Sequence, residues 1–379
     1  MQFENYFDYA AATPMLPEVI EAMKPFFADT FYNPSALYLG ARDNRLTLDE
    51  ARHTIAKGLG ARPTEIIFTA GGTEANNMAL HGVLSQHPDA HFITSAIEHD
   101  SILEPAKIYN STVIGVNEKG MVDLKQLADA ITDKTVLISI MLVNNEVGSI
   151  QPVHDIVQLV NEVRKQRQKD GNDRPLYVHT DACQATNYLD IHISRLGVDM
   201  LTINAGKLYG PKQCGALFVK AGIRLTPLIY GGGQEWNLRS GTENLANIVG
   251  FATAWQRIRG TVQSETKRLT ELRDLLIREL EAQRPDCVIN GPKGNRRVAN
   301  NVHVTFPGTD NERLLMELDE QGVQVATGSA CSASNDEPSH VLKAMGLSDE
   351  AAQSSIRITL GRYTTEQSIR NLITLLVKK

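Results

Sequence analysis

The chain has 379 residues, of which 42% are apolar and 22% charged, and its formal net charge is -6. Such a length exceeds one compact core and suits two domains, and the composition is that of an ordinary soluble globular protein. Lys and Arg are scattered, so nothing points to nucleic acid or a membrane surface.

No apolar run approaches the roughly 20 residues needed to cross a bilayer. The opening stretch MQFENYFDYAAATP has neither the basic nor the apolar region of an export signal, so a cytoplasmic location is expected. Four cysteines, Cys183, Cys214, Cys287 and Cys331, are far apart and form no C-x-x-C pair. That argues against a metal site and suits a reducing compartment, where a thiol is free to do chemistry.

In chain order, residues 65–69 read as a strand and 73–84 as a helix. Further strands are expected at 91–94, 112–116, 136–141, 176–179 and 200–203, with a long amphipathic helix over 153–168. This alternation predicts an α/β layer with a mixed, mostly parallel sheet. Ligands of such sheets gather at the carboxyl ends of the strands. From about residue 255 the texture changes. A charged helix over 254–281 precedes apolar runs at 287–290 and 301–306 and a helix over 311–321. A loop of small residues at 326–334, a strand at 356–359 and a last helix from Thr365 follow. The pattern predicts a smaller α+β domain. The expected division is 15–254 for the large domain, and 1–14 with 255–379 for the small one.

Three constellations carry chemistry. In Thr69-Ala70-Gly71-Gly72-Thr73-Glu74-Ala75-Asn76 a strand runs through two glycines into a helix, where free N–H groups and the helix dipole attract an anion. The plain alternative is a tight turn with Thr73 as helix N-cap. In Tyr177-Val178-His179-Thr180-Asp181-Ala182-Cys183-Gln184 an acid follows a buried strand, placed to hold a protonated heteroaromatic nitrogen or merely to cap a helix. In Asn204-Ala205-Gly206-Lys207-Leu208-Tyr209-Gly210 a lysine sits among small residues, either as a Schiff-base lysine or simply exposed.

Together these three, in this order, are the pattern of fold-type I pyridoxal 5'-phosphate (PLP) enzymes. The sequence resembles the cysteine desulfurase family (NifS/IscS-like) of class V aminotransferase-fold proteins over essentially its whole length. The resemblance includes Asp8-Tyr9-Ala10-Ala11-Ala12-Thr13-Pro14, Ser95-Ala96-Ile97-Glu98-His99, Asn144-Asn145-Glu146-Val147-Gly148, Arg239-Ser240-Gly241-Thr242, Gly328-Ser329-Ala330-Cys331 and Ser354-Ser355-Ile356-Arg357.

The resemblance implies roles. Lys207 would carry the cofactor and move protons, Asp181 would keep its ring nitrogen protonated, and His99 would stack on the ring as an acid/base. Asn145 and Gln184 would contact the ring's phenolic oxygen. Gly72, Thr73 and Asn204 would serve the phosphate, with Thr242 reaching the phosphate of a second copy in a homodimer. Arg357, Asn145 and Asn33 would meet the substrate, L-cysteine, Arg357 gripping its carboxylate. Cys331, in a loop of small polar residues, would accept sulfur as a persulfide and pass it to a sulfur-acceptor protein for iron–sulfur cluster assembly or thiolation. The other cysteines read as structural. The plain alternatives are a satisfied loop histidine at His99, loop braces at Asn145 and Gln184, and a surface ion pair at Arg357.

Two departures stand out. The family's lysine motif commonly reads Ser-Gly-His-Lys, whereas here it is Asn204-Ala205-Gly206-Lys207, which leaves fewer phosphate donors. After Asn33-Pro34-Ser35 the usual histidine is missing, and Tyr38 stands in that stretch. The rival readings are a selenocysteine lyase, a cysteine sulfinate desulfinase, a plain aminotransferase, and a catalytically weak sulfur-transfer scaffold.

Overall fold

The computed structural model describes residues 3–328 and 338–378. Its large sheet holds β1 (Ile66–Thr69), β2 (His91–Ser95), β3 (Ser111–Ile114), β4 (Thr135–Ser139), β5 (Tyr177–Asp181), β6 (Met200–Asn204) and β7 (Gly215–Val219), in the order β1-β7-β6-β5-β4-β2-β3. Every strand runs parallel to its neighbours except β7, which is antiparallel to both β1 and β6. β2 and β4 are buried along their whole length, because helices cover both faces. That burial is why these strands read as unbroken apolar runs rather than alternating ones. The expectation of a mixed, mostly parallel sheet holds.

Three elements differ from expectation. The helix Leu39–Leu59 was not foreseen. It buries Ala41, Leu48, Ala51, Ile55 and Leu59 at helical spacing but also Asn44 and Arg52, and those polar residues interrupt the apolar stripe. β7 likewise escaped notice, as it directly follows a glycine-rich loop. The single helix expected over 254–281 is two helices, Leu245–Arg259 and Val262–Gln283, broken at Gly260 and Thr261. The first packs on Leu39–Leu59 beside the large sheet, and the second packs on the strand Asn301–Thr305 and on the helix Glu366–Val377. One straight helix could not serve both layers.

The second sheet is antiparallel, in the order β10 (Ser355–Thr359), β9 (Asn301–Thr305), β8 (Val288–Asn290). The N-terminal segment lies against it. Phe7 N donates to Gln324 O, Thr359 N donates to Phe7 O, and Ala10 N donates to Thr359 Oγ1. The chain then passes to the carboxyl edge of the large sheet, where Thr13 meets Gly206 O. This segment therefore ties the two sheets at the site. Among the described residues no helix is long and apolar enough to cross a membrane.

Candidate active site

The phosphate-type turn follows β1. Gly71, at φ 143 and ψ -175, adopts a backbone conformation that only glycine takes without strain. It is the N-cap of the helix Gly72–Leu84, and no side chain caps that helix. Thr73 is therefore not the N-cap but the second helical residue, and the first N–H groups stay open to an anion. Gly72 is set by close approach. A Cβ there would lie 3.0 Å from Cys183 Sγ and 3.6 Å from Asn204 Nδ2. Asn204 Oδ1 accepts from Gly206 N, which turns its amide donor toward the glycine turn.

Asp181 ends β5 and anchors a hydrogen-bonded chain. Its Oδ1 accepts from Cys183 N at 2.9 Å, and its Oδ2 accepts from Asn76 Nδ2 at 2.7 Å. The other Asn76 Nδ2 hydrogen goes to Ser101 Oγ at 2.8 Å. Ser101 Oγ is 2.9 Å from His99 Nδ1, which also accepts from Ser101 N. His99 Nδ1 is thus an acceptor, and a neutral ring carries its proton on Nε2. One row of groups links Asp181 to His99. His99 is the N-cap of the helix Asp100–Ile108, where its Nδ1 accepts from Ser101 N. Below Asp181 on the same strand, buried His179 sits between Ser139 Oγ and Thr202 Oγ1, and burial pushes its pKa down to about 4.

Lys207 closes the short turn Ala205–Lys207 after β6. Its Nζ donates to Ala10 O at 2.8 Å and Ala11 O at 2.6 Å, and Gln184 Nε2 donates to Ala10 O at 2.9 Å. Arg357, on β10, is 1% exposed and therefore no surface residue. Its Nη2 pairs with Asp8 Oδ1 at 2.7 Å and its Nη1 donates to Asn145 O at 3.0 Å. Among the described residues its Nε is buried with no partner, as is Asn76 Oδ1. Arg357 lines the cavity, and a guanidinium there is a ready partner for a carboxylate.

The structure brings Gly72, Thr73, His99, Asn145, Asp181, Gln184, Asn204, Lys207 and Arg357 to the lining of one cavity. It does not bring Asn33 or Thr242 there. Asn33 is exposed and holds Ser35 N through its own Oδ1, and Thr242 is exposed on the loop after Arg239. Cys331 lies outside the described residues. Cys183 lines the cavity, but burial first and Asp181 next hold its thiol well above the usual range, so it is a poor thiolate. Burial likewise raises Cys214 and Cys287.

Sequence reasoning assigned no role to Asn76, Ser101, Glu98 or Asp8. The signal for Asn76 is a polar residue on the buried face of its helix, among Ala75, Met78, Ala79 and Val83. Glu98 is wholly buried, with both carboxylate oxygens accepting from Met141 N and one bonded to Ser95 Oγ. Burial pushes its pKa up to about 8.

The residues fit a phosphorylated pyridine aldehyde. An uncapped helix start faces an amide donor, a carboxylate ends a strand, and a lysine amine lies between them. The family model for aminotransferase class-V matches residues 5–372. The chain belongs to that family. "Cysteine desulfurase IscS" of Dictyoglomus turgidum is 44% identical over 97% of this chain and 92% of its own. A solved NifS-like protein superposes with a TM-score of 0.90 at 32% identity, covering 99% of this chain and 98% of the other. A structure titled "SspA in complex with cysteine" matches with a TM-score of 0.81 at 34% identity, over 95% of this chain and all of that one. Among the described residues no group of His, Cys, Asp and Glu could hold a metal ion.

Proposed function

We propose that this chain is a PLP-dependent cysteine desulfurase, which converts L-cysteine and the Cys331 thiol into L-alanine and a Cys331 persulfide. The observation that carries the reading is the convergence of Lys207, Asp181, His99 and Arg357 on one cavity at the carboxyl edge of the sheet. The similarity to cysteine desulfurases over nearly the whole chain supports it. In this reading residues 15–254 bind the cofactor, while 1–14 and 255–379 form the smaller domain that carries Cys331.

When bound, PLP supplies an electron sink that makes the Cα–H bond of an amino acid breakable. The protein's part is position and proton traffic. Asp181, held from two sides, would keep the ring nitrogen protonated. His99, with Nδ1 accepting from Ser101 N, would present Nε2–H as its donor. Lys207, whose Nζ is held in the cavity by Ala10 O and Ala11 O, would carry the cofactor and, once released from it, move the proton of the substrate Cα. Arg357 would hold the substrate carboxylate through its guanidinium. Cys331 takes the sulfur: its thiolate forms the S–S bond as the substrate's Cβ–S bond breaks. The persulfide then passes to a sulfur-acceptor protein. Thr242 serves the phosphate of a second copy in a homodimer, and the enzyme works in the cytoplasm.

The test is incubation with L-cysteine, with and without a thiol reductant. Alanine and sulfide should appear in equal amounts with reductant. Without it, mass spectrometry should place one added sulfur on the Cys331 peptide. Cys331→Ala and Cys331→Ser should keep bound cofactor and lose sulfide release. Added sulfur on Cys183, or sulfide from the alanine variant at the wild-type rate, would overturn the reading.

A further inference from the structure

The phosphate end of the site opens into a second cleft of about 620 Å³. One wall is the turn of Gly71, Gly72 and Thr73; the other carries Gly206, Lys212 and Gln213. Gly206 stands where the resembling motif has histidine, so the cleft lacks that side chain. The backbone would accept one: a Cβ at Gly206 lies no nearer than 3.5 Å to Asn204 Oδ1 and 3.7 Å to Lys212 Cα and Cγ. The space beside Gly206 is thus bordered by the stem of Lys212.

The local fold puts Lys212 there at some steric expense. Gly210 N donates to Ala205 O and Ala205 N donates to Cys214 O, which folds residues 208–213 back over the Lys207 turn. Tyr209 and Gln213 flank the fold at φ 62 and φ 56, a left-handed conformation that side chains disfavour. Asn247 Nδ2 holds Lys212 O from outside. The charge inventory of the cleft is short. Glu74 is committed to Arg239 Nε and Ala70 N. Lys207 Nζ is engaged by the N-terminal carbonyls. Lys212 is exposed and enters no ion pair among the described residues.

We propose that Lys212 supplies the cationic contact to the cofactor phosphate that Gly206 does not. This rests on the reading of the cavity as a PLP site. An anion in the cleft meets the helix start and the Asn204 amide, which are partial charges only, and Lys212 adds the full positive charge that a phosphate dianion calls for. A four-carbon stem with a compact ammonium suits a cleft open to water, where geometry need not be rigid.

The test separates phosphate from ring. Binding of PLP and of pyridoxal, which lacks the phosphate, is measured on apoprotein by absorbance and tryptophan quenching. Lys212→Gln should weaken PLP about 10- to 100-fold, the size of one charge-assisted bond, and leave pyridoxal unchanged. Lys212→Arg should keep most of the affinity, and Gly206→His placed in the Lys212→Gln chain should restore it. The PLP affinity of the wild type should also fall with salt more steeply than that of Lys212→Gln. Unchanged PLP affinity in Lys212→Gln, or equal loss for PLP and pyridoxal, would overturn the assignment. Failure of the wild type to bind either would remove the cofactor reading itself.

Discussion

Arg52 and Glu235 form a buried clamp whose removal should be costly. Arg52 Nη1 and Nη2 each donate to Glu235 at 2.6 Å, and the two side chains are 3% and 2% exposed. Glu235 Oε2 also accepts from Phe68 N, Arg52 Nη1 donates to Ile66 O, and the guanidinium lies 4.8 Å from the Phe68 ring centre. Glu235 opens a run of three left-handed residues, at φ 46, 60 and 64 for Glu235, Trp236 and Asn237. Each costs on the order of 1–3 kcal/mol and persists only where the surroundings enforce it. The clamp does so, and it fastens β1, which leads to the glycine turn, to the loop that continues to Thr242. Glu235→Gln leaves Arg52 charged and buried without a counterion, and Arg52→Met does the converse. Breaking a buried pair from one side costs about 3–5 kcal/mol. The double variant removes both charges and should cost less than the sum by about 1–3 kcal/mol. Urea unfolding followed by tryptophan fluorescence and circular dichroism measures all three. Single variants within about 1 kcal/mol of wild type, or strict additivity, would refute the reasoning.

Lys207→Ala should abolish both the visible absorbance of bound cofactor and alanine formation, and borohydride reduction of the wild type should place the pyridoxyl group on Lys207. Its recovery on Lys212 would sink the assignment. Asn76→Ala removes the donor to Asp181 and to Ser101; at about 1.5–3 kcal/mol for a bond to a charged group it should lower kcat more than it raises KM and shift the pH profile of the bound cofactor's absorbance. His179 and His303, buried and lowered to about 4 and about 3 from 6.5, stay neutral where unfolded histidines bind protons. Stability should therefore rise with pH between about 4 and 6.5, and His303→Gln should flatten that slope in denaturant titrations. Glu98 has the opposite sign: raised from 4.5 to about 8, it keeps a proton the unfolded chain has lost, so its contribution falls as pH rises through that window. Glu98→Gln should remove this fall between pH 4.5 and 8, and an unaltered slope would contradict a buried, protonated Glu98.

Much of the site was legible because each element announces itself locally. The strand, glycine pair and helix at residues 66–84 carry their own signals, and so does a strand ending in Asp181. What was not legible is what arrives from far along the chain. Asp8 meets Arg357 and Asn76 meets Asp181 across separations of 349 and 105 residues. No periodicity encodes such pairs. The helix Leu39–Leu59 was missed because Arg52 looks like a surface residue until Glu235 is found opposite it. The break at Gly260 was missed because both flanking helices are amphipathic, and only the presence of two separate layers requires a turn between them.

The two sheets meet through the residues that line the site. Arg357, from the small sheet, is fixed by Asp8 of the N-terminal segment and by the carbonyl of Asn145, which follows β4 of the large one. On the other side, His340 Nε2 bonds Glu98 O, and Ser339 Oγ bonds the buried carboxylate of Glu146. Glu98 directly precedes His99, and Glu146 directly follows Asn145. The chain that leaves the Cys331 segment is therefore fastened to the same two backbone stretches that present His99 and Asn145. A displacement of the small sheet relative to the large one must move the arginine, or strain the bonds at Asn145 and Asp8. Nothing in the large sheet alone sets the distance between Lys207 and Arg357. The packing of β10 against the N-terminal segment sets it, and alterations there, such as Asp8→Ala, act on substrate binding before they act on cofactor binding.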